Sequence, residues 1–324
     1  MSENPLTEIS NGILLFVPPS ARIAGWRRSG NVIILNNSDA LYIIDSGGPS
    51  VRNQLVMSVN NLLSNNGRPV HCIQTHGHID HMAGARELQK NFNAEIWASE
   101  EAIPFVESQA PLEIEMERES LIVAFRELFT APSWFVKAAI WVALGRTHPI
   151  SSVKLLDKSS NIKETGFHPV ELPGHHQGHI GFYNEDESIL IIGDLIDPRH
   201  KMKPILTAPS SDFVGMKSSL EKVIQIAPEI LLPGHGEPII GEEAVHSAIL
   251  KAQETMEVSQ NKVIEVLESK PSSLPELSNL LVRMGLGPGD VFRRMFIHSI
   301  LRYLVRIGKV SKQQSSRRKT IFSI

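Results

Sequence analysis

Residues 75–84, which read Thr-His-Gly-His-Ile-Asp-His-Met-Ala-Gly, constrain this chain more than any other stretch. Three histidines and one aspartate fall between positions 76 and 81. They directly follow the apolar run Val70–Gln74, whose β-branched residues predict a buried strand. The next run, Met82–Asn91, predicts a helix with Asp80 and His81 near its N-terminus. The polar cluster therefore lies where a strand ends and a loop begins, a common position for functional residues in α/β proteins.

The spacing within this stretch suits metal binding. In an extended or turning loop, His76 and His78 project to the same side and can chelate one ion, whereas Asp80 and His81 follow a turn of the chain and point to a second position. Imidazole and carboxylate ligands together suit zinc, iron or manganese. A histidine-rich surface loop is the simpler alternative in a chain with 13 histidines. The ordered His-x-His-x-Asp-His pattern directly after a strand favours the metal site.

The composition indicates a soluble globular protein. The 324 residues are 42% hydrophobic and carry a net charge of −3, which suits one large domain or two smaller ones with an ample core. A single cysteine, Cys72, excludes an intramolecular disulfide framework and a multi-cysteine metal site. The N-terminus lacks a basic start followed by an apolar run, so we expect no secretory signal and a cytoplasmic location.

The charge is unevenly distributed along the chain. Residues 291–324 contain nine Lys or Arg and no acid, whereas residues 1–290 contain 23 basic residues against 35 acidic ones. A basic tail on an acidic body indicates two parts with separate partners.

Four more polar residues directly follow predicted strands, and each has a glycine nearby. They are Asp45, His175, Asp194 and His235. Asp45 is equally well explained as a turn cap or as a carboxylate that orients a metal-binding loop. One strand-end residue of this kind is usually structural. Its repetition at separate strand ends indicates that these loops share one site.

Together these motifs resemble the metallo-β-lactamase-fold hydrolases, and among them the glyoxalase II-like group. The resemblance covers residues 7–250 and rests on His76-x-His78-x-Asp80-His81, Pro-Gly-His175-x-x-Gly-His179, Gly193-Asp194 and Pro-Gly-His235-Gly. It implies an α/β protein built as a four-layer αβ/βα sandwich, with a two-metal site at one edge.

The resemblance also implies the ligands of two divalent ions, zinc in the first place, with iron or manganese as alternatives. The residues that bind the first ion are His76, His78 and His175. The residues that bind the second ion are Asp80, His81 and His235, and Asp194 bridges the two ions. Asp45 corresponds to an acid that supports the ligand loops. His179 corresponds to a hydrogen-bonding partner near the site, and His176 is expected to be a neighbour rather than a ligand.

The chemistry implied by the resemblance is hydrolysis. Two cations about 3.5 Å apart lower the pKa of a bridging water, so that hydroxide can attack carbon or phosphorus at neutral pH while the metals stabilise the oxyanion. Asp80 is expected to orient this hydroxide, and the candidate catalytic residues are Asp80 and His179. The expected substrate is a small ester or thioester. The alternatives are a metal-dependent RNA endonuclease and a mononuclear-iron persulfide dioxygenase.

Residues 104–150 are expected to form an apolar helical insertion. Its most apolar part, Leu121–Gly145, is interrupted by charged residues and divided by Pro132, so we expect no membrane span. Two amphipathic helices fit better. They would serve either as a lid over the site or as a packing or homodimer contact.

The C-terminal residues predict three helices followed by a two-stranded hairpin. The expected helices cover Ala244–Ser269, Ser273–Met284 and Val291–Ile307. This order resembles a winged helix, an appendage of one hydrolase branch that includes thioesterases and endoribonucleases. Its basic charge indicates nucleic-acid contact as one interpretation; packing on the catalytic body or dimerisation is the other, and we favour it. We therefore expect a catalytic domain over residues 1–250 and a winged-helix-like domain over residues 251–324.

Overall fold

The apolar runs of the chain form two large β-sheets, and the remaining described strands pair as three two-stranded sheets. The computed structural model describes residues 6–18, 22–23, 26–27, 29–63, 67–110, 147–157, 160, 162–208, 210–285, 291–314 and 320–324, with the backbone alone for 22–23, 26–27 and 291–292. In chain order the strands are β1 (Leu6–Ser10), β2 (Ile13–Phe16), β3 (Arg22–Ile23), β4 (Trp26–Arg27), β5 (Val32–Asn36), β6 (Leu41–Ile44), β7 (Val70–Ile73), β8 (Glu95–Ala98), β9 (Lys154–Leu155), β10 (Phe167–Glu171), β11 (Ile180–Asn184), β12 (Ile189–Gly193), β13 (Ile196–Asp197), β14 (Lys203–Pro204), β15 (Ile230–Pro233), β16 (Ile239–Ile240), β17 (Ser311–Gln314) and β18 (Thr320–Ser323). The α-helices are α1 (Arg52–Leu63), α2 (Ile79–Met82), α3 (Ala85–Phe92), α4 (Ile103–Ser108), α5 (Phe213–Ile226), α6 (Glu242–Ser269), α7 (Leu274–Arg283) and α8 (Val291–Arg306).

The strand order brings the predicted polar loops together. The first sheet runs β1-β2-β5-β6-β7-β8-β9 and the second runs β10-β11-β12-β15-β16. Within them, β6 is parallel to β7, and β12 is parallel to β15. Parallel strands end at the same edge of a sheet, so the loops after β6 and β7 are neighbours, and so are the loops after β12 and β15. These four loops carry four of the predicted motifs.

Three apolar cores hold the layers together. The central core lies between the sheets and includes Ile44 of the first sheet and Phe182 of the second. The other face of the first sheet packs on α1 and α3, with Leu55 in that core. The other face of the second sheet packs on α5 and the C-terminal helices, through residues such as Leu190 and Leu220. The order helix, sheet, sheet, helix confirms the predicted four-layer sandwich.

Most predicted elements are present, but the helix after the histidine stretch is divided. Instead of one helix over Met82–Asn91, the chain forms α2 and α3, and Asp80 and His81 lie within α2. A Cβ atom at Gly84 would lie 2.2 Å from the carbonyl oxygen of Ser46. The break occurs where the backbone packs this closely against the loop after β6.

The C-terminal elements appear in the expected order, with three helices followed by the β17–β18 hairpin. Helix α6 runs without a break through residue 250, so the predicted domain boundary falls inside a helix. The C-terminal helices share one apolar core with the second sheet, from Leu190 to Phe322. The division into two domains and the winged-helix-like assignment stay predictions.

The insertion lies largely outside the described residues, because residues 111–146 are not described. Its two ends meet: the hydroxyl of Thr147 donates to the carbonyl oxygen of Gln109 at 2.8 Å, and Ile150 N–H donates to Glu107 at 2.9 Å. The predicted lid or contact helices fall within the undescribed part. None of the helices in the described ranges combines the length and apolar character that crossing a membrane requires.

Candidate metal centre

The first predicted ligand group converges on one point. His76 and His78 follow β7, His175 follows β10, and Asp194 follows β12. Each contributes a ligand atom, and these atoms lie within 4.8 Å of one another. His175 Nε2 lies 2.9 Å from His78 Nδ1 and 3.5 Å from Asp194 Oδ2. The loops from both sheets therefore supply one set of ligand atoms.

The second predicted group forms beside the first. His235 Nε2 lies 3.3 Å from Asp80 Oδ2 and 3.3 Å from His81 Nε2. Asp194 reaches this group with both oxygens, because Oδ1 lies 3.3 Å from His81 Nε2 and Oδ2 lies 3.5 Å from His235 Nε2. Asp194 thus lies between the two groups, in the position predicted for a bridging carboxylate.

The buried rings fit a pair of cations. His76 Nε2 is buried and has no hydrogen-bond partner among the described residues. Burial, reinforced by the neighbouring imidazoles, lowers the pKa of His76 and His78 well below the ordinary value. Both rings are therefore neutral at pH 7 and carry a lone pair for a metal ion. Histidine nitrogens and carboxylate oxygens in this number suit zinc, iron or manganese.

Hydrogen bonds at Nδ1 fix which ring nitrogen of two candidate ligands, His81 and His175, carries the proton. His81 Nδ1 donates to Asp45 Oδ2 at 2.8 Å, and His175 Nδ1 donates to the carbonyl oxygen of Ile205 at 2.7 Å. Each bond keeps the proton on Nδ1, so Nε2, which faces the centre of the site, is the ring nitrogen available to an ion. Asp45 comes within ligand distance of His76 and His81 as well, but its oxygens are already engaged. Its geometry favours the orienting role over the simple turn cap.

Comparison with known proteins agrees with this geometry. Residues 25–235 match the family model described as "Metallo-beta-lactamase superfamily". The chain belongs to the metallo-β-lactamase superfamily. The crystal structure of a β-lactamase domain protein from Burkholderia ambifaria shares the fold, with a TM-score of 0.74 and 17% identity over 99% of this chain and 95% of that chain.

Two curated relatives are hydrolases by name, and one of the names states a metal. The probable metallo-hydrolase YqjP of Bacillus subtilis is 33% identical over 112 residues, which cover 33% of this chain and 34% of YqjP, about a third of that relative's length. The hydroxyacylglutathione hydrolase GloC of Haemophilus influenzae is 27% identical over 224 residues, which cover 68% of this chain and 92% of GloC. This member of the superfamily is a metal-dependent hydrolase.

His179 is close to the ligands of this superfamily member, but both of its ring nitrogens are engaged. Nδ1 donates to the carbonyl oxygen of Leu172 at 2.6 Å, and Nε2 accepts the backbone N–H of Asp194 at 3.1 Å. Burial, with the nearby charge of His175, lowers the pKa of His179 to about 3, so the ring stays neutral. This geometry favours a positioning role, in which His179 holds Asp194, over the predicted catalytic role.

His176 lies beside the first ligand group, as predicted for a neighbour. Its ring centroid is 4.6 Å from that of His78 and 4.5 Å from that of Phe105. Its Nδ1 contacts the carbonyl oxygen of Gln177 at 3.0 Å. His176 therefore packs against a ligand ring and is absent from the described ligand groups.

Two residues of the site were missed from the sequence. The Asn31 amide donates to the carbonyl oxygens of Pro233 and Gly236, at 2.9 and 2.8 Å, and so fixes the loop that carries His235. Gly30 packs so closely on His81 that a Cβ atom would lie 2.4 Å from the ring. Gly30, just before β5, was the only local signal for these two residues. Their contacts with His81 and with the His235 loop join positions more than fifty residues apart, so the sequence does not reveal them.

Carboxylates dominate the electrostatics of the second group. Burial would lower the pKa of His235, but Asp194 and Asp80 raise it to about 9. Burial would also lower the pKa of His81, but the carboxylates of Asp194 and Asp45 outweigh this effect and raise the pKa well above its ordinary value. Metal ligands must be deprotonated, so cation binding at this group is expected to release protons.

Proposed function

We propose that this metal-dependent hydrolase cleaves a small ester or thioester and uses two divalent ions, zinc in the first place. The observation that carries the proposal is the position of Asp194 between two convergent ligand groups. When bound, a pair of such ions supplies an activated water near neutral pH and polarises a carbonyl oxygen.

Two further roles are assigned to residues of the chain: orienting the attacking water and holding the ligand atoms in place. The Asp80 side chain is 25% exposed, against 5% for Asp194, so Asp80 is the ligand carboxylate that meets incoming solvent and substrate. We assign Asp80 to orienting the attacking water. Asp45, through His81, and His179, through Asp194, hold the ligand atoms in place, and this rigidity lowers the reorganisation that the reaction requires.

The preference for esters and thioesters draws on the relatives. GloC, whose name states a hydroxyacylglutathione substrate, aligns with 68% of this chain. The glutathione part of that substrate is not carried over to our proposal. A thioester bond is the feature that the proposal retains.

The basic C-terminal residues give the RNA endonuclease no independent support. Arg293 is buried, and Arg302 Nη1 lies 3.5 Å from the carbonyl oxygen of Ser211 in the catalytic half. Arg317 and Arg318, which would hold RNA in that alternative, lie outside the described residues. Nucleic-acid binding stays a prediction, as does the dioxygenase alternative.

A substrate panel tests the proposal. Zinc-loaded, manganese-loaded and iron-loaded protein are offered simple thioesters, oxygen esters, an RNA oligonucleotide and a persulfide. We expect thioester or ester hydrolysis that falls at least about 100-fold in Asp194→Asn and with chelator. The matched control is Asp186→Asn, at an exposed turn acid. Cleavage of RNA, or oxygen uptake with the persulfide, in the absence of ester hydrolysis would contradict the proposal.

A further inference from the structure

A short hairpin is attached to the metal centre at both ends. Strands β13 and β14 pair antiparallel, with Asp197 opposite Lys203. The hairpin begins directly after Asp194 and ends at Ile205, whose carbonyl oxygen accepts the His175 Nδ1 proton at 2.7 Å. Two predicted metal ligands therefore fix the position of the hairpin tip.

Arg199, at this tip, is held by one edge of its guanidinium. Its Nε donates to Asp197 Oδ1 at 2.9 Å, and its Nη2 donates to Asp197 Oδ2 at 2.8 Å. The second terminal nitrogen, Nη1, has no hydrogen-bond partner in the described part of the chain. The side chain is 24% exposed. A guanidinium fixed in this way presents its other edge in a defined direction, which suits a carboxylate or phosphate.

The Arg199 side chain lies at the rim of the metal centre. A Cβ atom at Gly236, the residue after His235, would lie 3.1 Å from Arg199 Cγ. Burial would lower the pKa of Arg199, but the hydrogen bonds that it donates to Asp197 and the charges of Asp197, Asp194 and Asp80 raise it. The arginine is thus cationic at any working pH and lies within electrostatic reach of the bridging acid.

The tip combines left-handed backbone angles, one of them at the C-cap of the short 3-10 turn Pro198–His200, with an excess of positive charge. Lys201 and Met202 both have left-handed backbone angles, with φ of 60° and 59°. Such angles disfavour residues other than glycine and asparagine, and they persist where surrounding structure enforces them, often at functional sites. Residues 197–203 contain three Lys or Arg against one acid. The strained turn therefore displays a net positive charge beside the metal centre.

We propose that Arg199 binds an anionic group of the substrate, a carboxylate or phosphate, during ester or thioester hydrolysis. This inference rests on the proposed function and narrows its substrate class to anionic compounds. The simpler hypothesis is that the Arg199–Asp197 ion pair only stabilises the turn. That role would affect charged and neutral substrates alike, so the two readings predict different results.

The test compares thioesters that differ at one group, which is either charged or neutral. The metal-loaded enzyme is assayed with acetyl thioesters of 3-mercaptopropionate, 2-mercaptoethyl phosphate and 2-mercaptoethanol, and with succinyl and butyryl thioesters of 2-mercaptoethanol. The first three place a carboxylate, a phosphate or no charge on the thiol side. The last two vary the charge on the acyl side. The variant is Arg199→Gln, and the control is Arg86→Gln, at an exposed arginine on α3.

We expect Arg199→Gln to reduce kcat/KM about 10- to 100-fold for at least one charged thioester, mainly through KM, and to leave the neutral ones nearly unchanged. An equal loss for charged and neutral substrates, or no loss, overturns the inference. Calorimetric binding of 3-mercaptopropionate against 2-mercaptoethanol is the second measurement, and it does not need turnover. If wild-type enzyme hydrolyses no thioester, the proposed function fails, while a charge-selective loss of binding in Arg199→Gln still supports the anion contact.

Discussion

The carboxylate of Asp45 should control the second metal ion without binding it. It accepts hydrogen bonds from Thr75 N–H at 2.8 Å, from the Thr75 hydroxyl at 2.9 Å and from His81 Nδ1 at 2.8 Å. The last bond keeps the Nδ1 proton in place, so Nε2, which faces Asp194 and His235, is the nitrogen that can bind an ion. We predict that Asp45→Asn disturbs this arrangement. Its amide would offer a proton to Nδ1, or would turn its NH2 group against the Thr75 N–H.

The expected size of the effect follows from this one bond. If the His81 ring adopts the other tautomer, its proton lies on the nitrogen that the metal needs. Loss of such an orienting partner costs about 10- to 100-fold in metal affinity, which corresponds to about 1.4–2.7 kcal/mol. The fold should survive, because Asp45 has φ of 60° and asparagine tolerates that conformation. We expect the loss at the second ion only, with the first ion near wild-type affinity.

A second variant, Thr75→Val, is expected to weaken binding of the other ion, so the two variants together test whether each effect is confined to one ion. The Thr75 hydroxyl lies 2.9 Å from His76 Nδ1 and links that ring to Asp45. Thr75→Val removes this link while the backbone bond remains, so we expect it to weaken the first ion instead. Stepwise zinc affinities are measured by competition with a chromophoric chelator, with the exposed Asp39→Asn as control. Equal loss of both ions in Asp45→Asn, or wild-type affinity for both, would refute the reasoning.

Two other predictions concern positions outside the ligand set. Gly30→Ala places a Cβ atom 2.4 Å from the His81 ring; we expect loss of the second ion with the fold retained, and a metal content equal to wild type would contradict this. Burial, with Arg302 and Lys312, lowers the pKa of His298 to about 3. Below about pH 6.5 the His298 ring is protonated in the unfolded chain but stays neutral in the folded chain. The free energy of unfolding should therefore fall by about 1.4 kcal/mol per pH unit, or about 2 kcal/mol by pH 5. Urea unfolding of His298→Gln at pH 7 and pH 5 should lack this part of the loss, and parallel curves for variant and wild type would count against it.

The strand-end positions of the candidate ligands could be predicted because they depend on local signals, whereas their assignment to two ions came from the family resemblance and stays a prediction. The stretch after β7 and the glycine-flanked residues Asp194 and His235 each follow an apolar run, so their place at a strand end is visible in the sequence. Their convergence follows from which strands are parallel. That pairing came from the family resemblance rather than from periodicity.

The supporting contacts could not be predicted because they join distant parts of the chain. Asn31 and the carbonyl oxygen of Pro233 are 202 positions apart, and nothing local to either residue encodes the bond. The division of α2 from α3 depends on the approach of Gly84 to Ser46, which is also a tertiary contact. The engagement of both His179 nitrogens is likewise visible only once Leu172 and Asp194 are placed.

The central claim is that separate loops hold two cations on either side of Asp194, and elemental analysis under metal-replete conditions tests it most directly. The account predicts about two divalent ions per chain for the wild type, as in two-metal hydrolase sites. It predicts that His235→Ala loses the second ion and keeps the first. A wild-type content of one ion or fewer, or a His235→Ala content equal to wild type, would contradict it.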